Sequence, residues 1–285
     1  MMPDIYLCSF ASPNLDLSVK RFKKEAKQLN IYKQIKVYRK EDLPNEMITR
    51  IKNFNYPVLK MRLYGYACWK PYIVKKFFKE IPENSILQYT DIGCEFNVKG
   101  IKRLNDYIKL CNDKNILVFQ YRPPDWDKKY NNIKFQEYFE YQYTKSETME
   151  SMRVNDDSNI ISTEQIWSGC FFIKKNKVGE AIIDSWIKYS EIDNLINDDY
   201  SKLKNNNNFK EHRHDQSIFS IICKKAEVFS LSASECEWGE KESKRTWEHL
   251  NEFPIQAKRN KKYNFIKRFL NRQIRNFKRR WFKNE

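Results

Sequence analysis

The segment Ser85–Cys94 has the sequence SILQYTDIGC and is predicted to be a buried strand that ends on a carboxylate. The apolar run stops at Asp91, and Gly93 follows two residues later. Ligands of open α/β sheets bind at the carboxyl ends of the strands, where a carboxylate can meet a ribose hydroxyl or a metal-bound diphosphate. An aspartate after a strand can equally cap the next helix, so this segment alone leaves both functions open.

Strands and helices alternate on both sides of this segment. A strand is predicted at residues 5–10, an amphipathic helix at 17–29 and a second strand at 35–38, and this β-α-β order favours a parallel sheet. Further strands are predicted at 115–120 and 165–173, and further helices at 71–78, 98–110, 178–189 and 216–223. We therefore predict an α/β fold with a mostly parallel central sheet flanked by helices, in one domain of residues 1–257.

Composition excludes several classes of protein. The seven cysteines are scattered, odd in number and without a Cys-x-x-Cys pair, which argues for free thiols in a reducing compartment. No basic, apolar leader and no apolar run of about 18 residues is present, so neither a signal peptide nor a transmembrane helix is predicted. The Gly-rich motifs of dinucleotide and Walker-type sites are absent. Ser168-Gly169 lacks the Gly-x-Ser-x-Gly context of a hydrolase nucleophile.

A second unusual block, RLYGYACWKP, spans residues 62–71. Pro71 suits the first position of a helix, which would place Lys70 at a helix N-terminus. There Lys70 could hold a diphosphate or a sugar, and the rings of Tyr66 and Trp69 could stack on a base or a pyranose. An ordinary solvated lysine is the alternative.

A third block, EHRHDQS, spans residues 211–217 and precedes an apolar helix. Asp215 is predicted to be the N-cap of that helix. Together, His212, His214 and Asp215 could gather a metal ligand and a general base at one point, although local hydrogen bonding at a helix start also explains them. The usual zinc patterns are absent, and a hard cation bridged by a ligand phosphate fits this composition better.

With these blocks in view, the chain resembles bacterial and viral glycosyltransferases of the GT-A fold that build capsule, lipooligosaccharide or other glycan chains. The resemblance covers about residues 4–230. It is carried by five blocks in the family's order, namely Cys8-Ser9-Phe10-Ala11-Ser12, Gly65-Tyr66-Ala67-Cys68-Trp69-Lys70-Pro71, Tyr89-Thr90-Asp91-Ile92-Gly93-Cys94, Trp167-Ser168-Gly169 and His212-Arg213-His214-Asp215-Gln216-Ser217.

The resemblance implies a hexosyltransferase-like enzyme with a nucleotide-sugar donor, UDP-linked by frequency in the family, and a surface-glycan or lipid-linked acceptor. Asp215 resembles the acceptor-side base of inverting members. Gly93 replaces the second aspartate of the Asp-x-Asp signature, which leaves dependence on Mn²⁺ or Mg²⁺ open. If such an ion binds, Asp91 would hold it, with His214 or Glu95 as the second ligand. The implied donor contacts are Ser9, Phe10, Tyr66, Trp69, Lys70, Asp91, Gly93, Ser168, Gly169 and Gln216.

Residues 258–285 form a separate basic tail, with twelve Lys or Arg against one acid, and so carry most of the net charge of +16. Its apolar residues recur at three- and four-residue spacing, which predicts a C-terminal cationic amphipathic helix. We expect this helix to hold a cytoplasmic protein peripherally at the inner face of an anionic membrane, and we expect no nucleic-acid partner. The apolar residues are Phe265, Ile266, Phe269, Leu270, Ile274, Phe277, Trp281 and Phe282.

Other functions of the tail remain open at this stage. Its apolar stripe could pack on its own domain, the segment could be disordered, or its basic residues could bind nucleic acid. The alternative to an enzyme is a non-catalytic basic protein that binds membrane or nucleic acid through the tail.

Overall fold

In the described part of the chain, ten strands build one large sheet and two small ones: β1 (Ile5–Phe10), β2 (Tyr32–Tyr38), β3 (Ile86–Thr90), β4 (Glu95–Phe96), β5 (Ile116–Gln120), β6 (Ile166–Lys174), β7 (Ser230–Ser232), β8 (Gly239–Lys241), β9 (Lys244–Thr246) and β10 (Ile255–Gln256). These are seen in a computed structural model that describes residues 2–54, 64–124, 132–199 and 201–260. The central sheet has the order β2-β1-β3-β6-β5-β7, while β4 pairs with β10 and β8 with β9.

Five strands of the central sheet run in the same direction, and β6 runs antiparallel between β3 and β5. The predicted mixed α/β fold with a mostly parallel sheet is therefore confirmed. The antiparallel strand has a direct consequence for function, because it brings the first residues of β6 to the edge where β1 and β3 end.

Helices cover both faces of the central sheet. The helices are α1 (Asp16–Gln28), α2 (Asn45–Phe54), α3 (Lys70–Glu80), α4 (Ile101–Lys114), α5 (Glu140–Tyr143), α6 (Ser146–Ser151), α7 (Ser158–Ile161), α8 (Lys177–Ser190), α9 (Asp193–Ile196) and α10 (Asp215–Lys225). On one face α3, α8 and α10 pack together, and on the other α1 and α4 pack against the strands.

The side chains of β3 point alternately to the two faces of the sheet and so contribute to two hydrophobic clusters. Leu87 and Tyr89 belong to the cluster that contains Phe219 of α10, and Ile86 belongs to the cluster that contains Phe22 of α1. Each of these side chains is fully buried, so each phenylalanine contributes about 1.5–3 kcal/mol of transfer free energy. Burial on both faces explains why the strands have near-continuous apolar sequences.

The C-terminal part of the described chain packs on the domain. Asn260 donates its backbone N–H to the carbonyl of Gly93 at 2.8 Å, and the Lys258 ammonium lies 3.0 Å from the Glu95 carboxylate. Residues 258–260 of the predicted tail thus contact the body, whereas its predicted amphipathic helix lies outside the described residues.

Two sequence expectations about general properties can be compared with the structure. All seven cysteines are buried and free, as predicted. Among the helices of the described residues, none combines the length and apolarity that a membrane crossing requires.

Candidate functional site

The candidate site lies at the carboxyl edge of β1 and β3, where β6 begins. The backbone N–H of Asp91 donates to the carbonyl of Gly169 at 2.8 Å and so joins the end of β3 to the start of β6. The helices α3 and α10 begin at the same place and bring Lys70 and Asp215 to it. Four of the residues singled out from sequence therefore meet at one edge of the sheet.

A lysine lies between two carboxylates at the centre of this site. The Lys70 ammonium is 2.7 Å from Oδ2 of Asp215 and 3.6 Å from Oδ1 of Asp91. It also lies 3.2 Å from the Ser168 hydroxyl, which itself donates to Oδ2 of Asp215 at 2.8 Å. The hydroxyl of Tyr89 donates to Oδ1 of Asp91 at 2.8 Å. These contacts make one continuous polar network.

The members of this network differ sharply in exposure. Side-chain exposure is 5% for Lys70 and 4% for Asp215, but 45% for Asp91. Burial raises the pKa of Asp215, and the Lys70 charge and the Ser168 hydrogen bond offset part of that rise. Burial alone would lower the pKa of Lys70, but the Asp215 and Asp91 charges outweigh it, and the net pKa is raised. Lys70 is therefore an ammonium at neutral pH.

Unusual backbone conformations hold both helix starts in place. Gly65, Tyr66 and Ala67 all have positive φ, at 59°, 53° and 58°, just before α3. His214, directly before α10, has φ 55° and ψ −123°, a region that non-glycine residues rarely occupy. The Tyr66 and His214 rings pack on each other with centroids 4.6 Å apart, so the two strained segments support one another.

The prediction that Asp215 caps its helix is wrong. The helix begins at Asp215 itself, and His214 occupies the N-cap position without a side-chain capping bond. The Asp215 carboxylate instead faces the ammonium of Lys70 and the hydroxyl of Ser168. An ion pair with a buried ammonium is stronger than a single bond to a backbone N–H, so the carboxylate turns away from its own helix.

Three residues predicted to contact the donor lie buried in the protein. Ser9 lies within β1 and donates its hydroxyl to the carbonyl of Thr90 at 2.6 Å. Phe10 stacks on Trp69 with ring centroids 3.8 Å apart, and the Trp69 indole N–H donates to the Tyr64 carbonyl at 2.8 Å. Their contacts with a donor stay predictions.

Two glycines and a glutamine from the predicted site have identifiable neighbours. A Cβ on Gly169 would lie 2.3 Å from the Trp167 ring, so this glycine permits the indole to fold over the strand. A Cβ on Gly93 would lie 3.3 Å from the Cα of Arg259. The Gln216 amide donates to Oε1 of Gln165 at 2.9 Å and belongs to an interior network.

The predicted metal ligands fit a divalent ion unequally. Asp91 offers a half-exposed carboxylate, and Mg²⁺-like ions that keep water and phosphate oxygens need only one or two carboxylates. His214 fits poorly, because its Nδ1 lies 2.9 Å from the Ile196 carbonyl and its Nε2 is 3.7 Å from Asp198. The carboxylate of Glu95 is held by Lys258 and Asn260. Within the described ranges, no group of three or more His, Cys, Asp or Glu residues could hold an ion.

Sequence reasoning missed Arg21, which binds the turn that follows β3. This turn, residues 91–94, is called the Asp91 turn below. The Arg21 guanidinium donates to the carbonyls of Ile92 and Cys94 at 2.7 and 2.8 Å. No sequence signal identifies such a residue, because its partners are backbone atoms and it lies among the lysines of an amphipathic helix.

Comparisons with known proteins give the following findings. No protein-family model matches the chain, and no curated protein matches it. The fold is similar to a glycosyltransferase involved in the glycosylation of the major capsid of PBCV-1, with a TM-score of 0.34 and 13% identity over 64% of this chain and 66% of that chain. It is also similar to mouse xyloside xylosyltransferase 1 in its apo form, with a TM-score of 0.40 and 10% identity over 82% and 87% of the two chains.

A third similar structure is the apo form of the bifunctional glycosyltransferase WbbM, with a TM-score of 0.44 and 9% identity. The match covers 83% of this chain but only 40% of WbbM. Likenesses at these scores carry no argument about function.

Proposed function

We propose that the protein is a hexosyltransferase-like glycosyltransferase that moves a sugar from a UDP-sugar to a surface-glycan or lipid-linked saccharide acceptor. One observation carries the proposal, namely that Lys70, Asp91, Ser168 and Asp215 meet at the carboxyl edge of a mostly parallel sheet. This edge is where α/β folds bind ligands. All four residues belong to the sequence blocks that resemble those of GT-A glycosyltransferases.

In this proposal Asp91 and Lys70 bind the nucleotide-sugar donor. Asp91 is the exposed carboxylate and would face the ribose and diphosphate, with Lys70 behind it. One ammonium and two ionised carboxylates leave this cluster with a net negative charge, which disfavours a bare diphosphate. A divalent ion, Mn²⁺ or Mg²⁺, held on Asp91 would supply the positive charge that the diphosphate requires when bound.

Asp215 is the proposed general base. Its burial raises its pKa, so it is a stronger base than an exposed aspartate. It would take the proton from an acceptor hydroxyl as that oxygen attacks the anomeric carbon and the bond from that carbon to the diphosphate oxygen breaks. UDP would leave with the bonding electron pair, and this single displacement would invert the configuration. Lys70 and Ser168 both contact Oδ2 of Asp215 and would orient the carboxylate.

A screen of nucleotide sugars by thermal shift and turnover, with and without Mn²⁺, tests the proposal. We expect one donor to stabilise the parent protein, Asp91→Asn to remove that response, and Asp215→Asn to abolish transfer. Asp184→Asn is the matched control, since Asp184 is a surface carboxylate that pairs with Lys75. Full transfer by Asp215→Asn, or no response to any donor, would contradict the proposal.

We further propose that the basic tail places the enzyme at the inner face of an anionic membrane. Each Lys or Arg near an anionic surface contributes roughly 1 kcal/mol, and the apolar stripe adds burial. In the full chain, replacing Lys267, Arg268, Arg272 and Arg275 by Gln should abolish binding to phosphatidylglycerol vesicles. The matched control replaces four exposed lysines of α1, namely Lys20, Lys23, Lys24 and Lys27. Equal binding by both variants would contradict the membrane proposal.

A further inference from the structure

We infer that Arg21 of α1 is a positioning residue for the turn that carries Asp91. The Arg21 side chain is only 9% exposed. Its Nη2 donates to the carbonyl of Ile92 at 2.7 Å, and its Nη1 donates to the carbonyl of Cys94 at 2.8 Å. One planar guanidinium therefore fixes the two carbonyls on either side of Gly93.

The carbonyl between these two is held from a different part of the chain. Asn260 donates its backbone N–H to the Gly93 carbonyl at 2.8 Å, and Nη2 of Arg21 lies 3.4 Å from the Asn260 carbonyl. Three consecutive carbonyls after Asp91 are thus bound by Arg21 and by a segment that Arg21 also contacts. The carbonyl of Asp91 accepts the backbone N–H of Cys94 at 2.9 Å, so each backbone acceptor from Asp91 to Cys94 has a donor.

Glu25 orients the guanidinium itself. Its Oε2 lies 2.7 Å from Nη1 of Arg21 and accepts the backbone N–H of Phe96 at 3.1 Å. The arginine is therefore fixed by an ion pair one helical turn away, and the same carboxylate fixes β4. A lysine could not replace this arrangement, because a single ammonium cannot reproduce the fork of donors that reaches two carbonyls and a carboxylate.

The position of the turn matters because it positions Asp91, whose carboxylate makes few contacts among the described residues. Its carboxylate is 45% exposed and contacts the hydroxyl of Tyr89 and the ammonium of Lys70. The inference rests on the proposed function, in which Asp91 faces the donor. A shift of the turn would then change donor binding first, since a displacement of about 1 Å in a positioning group is enough to cost up to about a hundredfold.

The test compares Arg21→Met and Arg21→Lys with Arg103→Met. Arg103 is a matched control because it also ties a helix to a distant segment, through two bonds to Glu235 at 2.7 and 2.8 Å. Among the described residues its bonds do not reach the Asp91 turn. We expect Arg21→Met to raise the donor KM about tenfold with kcat within about twofold, Arg21→Lys to lie between, and Arg103→Met to match the parent.

Amide hydrogen exchange provides a readout that needs no donor. Arg21→Met should accelerate exchange in residues 91–97 and 257–260, and Arg103→Met should leave residues 91–97 unchanged. Unchanged exchange in Arg21→Met would overturn the inference. Faster exchange without a rise in donor KM, or equal effects in the Arg103 variant, would also overturn it. If the parent turned over no nucleotide sugar, the proposed function would fail, while exchange would still decide whether Arg21 holds the turn.

Discussion

The Lys70 ammonium lies 2.7 Å from the Asp215 carboxylate, and neither side chain is more than 5% exposed. The two residues begin α3 and α10, so the ion pair joins two helix starts that flank the end of β3. Taking both charges out of water is costly, and the pair is stable only because each partner compensates the other. The pair is therefore a sensitive point both for stability and for the proposed chemistry.

A double-mutant cycle should expose this dependence. Lys70→Met should cost about 3–5 kcal/mol of unfolding free energy, because it leaves the buried Asp215 charge without its ammonium. Asp215→Asn should cost less, because Asp91 still lies 3.6 Å from the Lys70 ammonium. The double variant should cost clearly less than the sum, with a coupling of roughly 0.5–3 kcal/mol. Urea unfolding at neutral pH measures all four proteins. The pair of Lys75 and Asp184 serves as the control, because Asp184 is 56% exposed and Lys75 also contacts Glu180, so the coupling of this pair should be at most about 1 kcal/mol. Additive costs at Lys70 and Asp215 would contradict the prediction.

Substitution of Ser168 should shift the acidic limb of the pH profile of kcat/KM. Burial raises the pKa of Asp215 above its ordinary value of 3.8, and the Ser168 hydrogen bond lowers it by favouring the ionised form. Ser168→Ala removes that bond, so the pKa should rise further and less base should be ionised at a given pH. We expect kcat/KM to fall at a higher pH in Ser168→Ala than in the parent. A limb that moves to lower pH would exclude Asp215 as the group that titrates.

The pairing of Lys70 with Asp215 shows where sequence reasoning stops. The predicted strand ends and helix starts indicated that each of these two residues lies near the carboxyl edge of the sheet. Both residues lie at that edge. The contact between them depends on β6 entering the sheet antiparallel, between β3 and β5. The run Ile166–Ile173 is apolar because both of its faces are buried. Its composition would be the same in a parallel and in an antiparallel strand, so the sequence does not reveal the direction of β6.

Other differences have equally local causes. Phe10 and Trp69, both implied donor contacts, stack on each other in this structure, and their contacts with a donor stay predictions. An aromatic residue has the same sequence signature in a core and in a binding platform. Arg21 escaped prediction because helical periodicity places it with solvated lysines, and only the tertiary structure shows the carbonyls above it.

Gly169 should tolerate substitution only if Trp167 is also changed. A Cβ at this position would lie 2.3 Å from the indole ring, which must then move within a packed core. We expect Gly169→Ala to cost about 1–3 kcal/mol of unfolding free energy in the parent. In a Trp167→Leu background the same substitution should cost less, because the indole is gone. Urea unfolding of the four proteins tests this, and an equal cost in both backgrounds would show that the indole is not the obstacle.

The hairpin of β8 and β9 should be stabilised by changing its turn. Lys241 pairs with Lys244, so Glu242 and Ser243 form a two-residue loop, and both have positive φ, at 50° and 60°. Such turns favour Asn-Gly, because Asn tolerates and Gly freely adopts the left-handed region. We expect Glu242→Asn with Ser243→Gly to raise the unfolding free energy by about 1 kcal/mol, after the entropic cost of the new glycine is subtracted.

The control for that prediction places a glycine where the backbone does not need one. Lys109 is exposed in the middle of α4, and Lys109→Gly should lower the unfolding free energy by about 1 kcal/mol. A higher unfolding free energy in the hairpin variant and a lower one in Lys109→Gly would show that the gain comes from the left-handed backbone of the turn. Both side chains are exposed, so their substitution changes little besides the backbone preference of the turn. A loss of stability in the hairpin variant would therefore contradict the prediction.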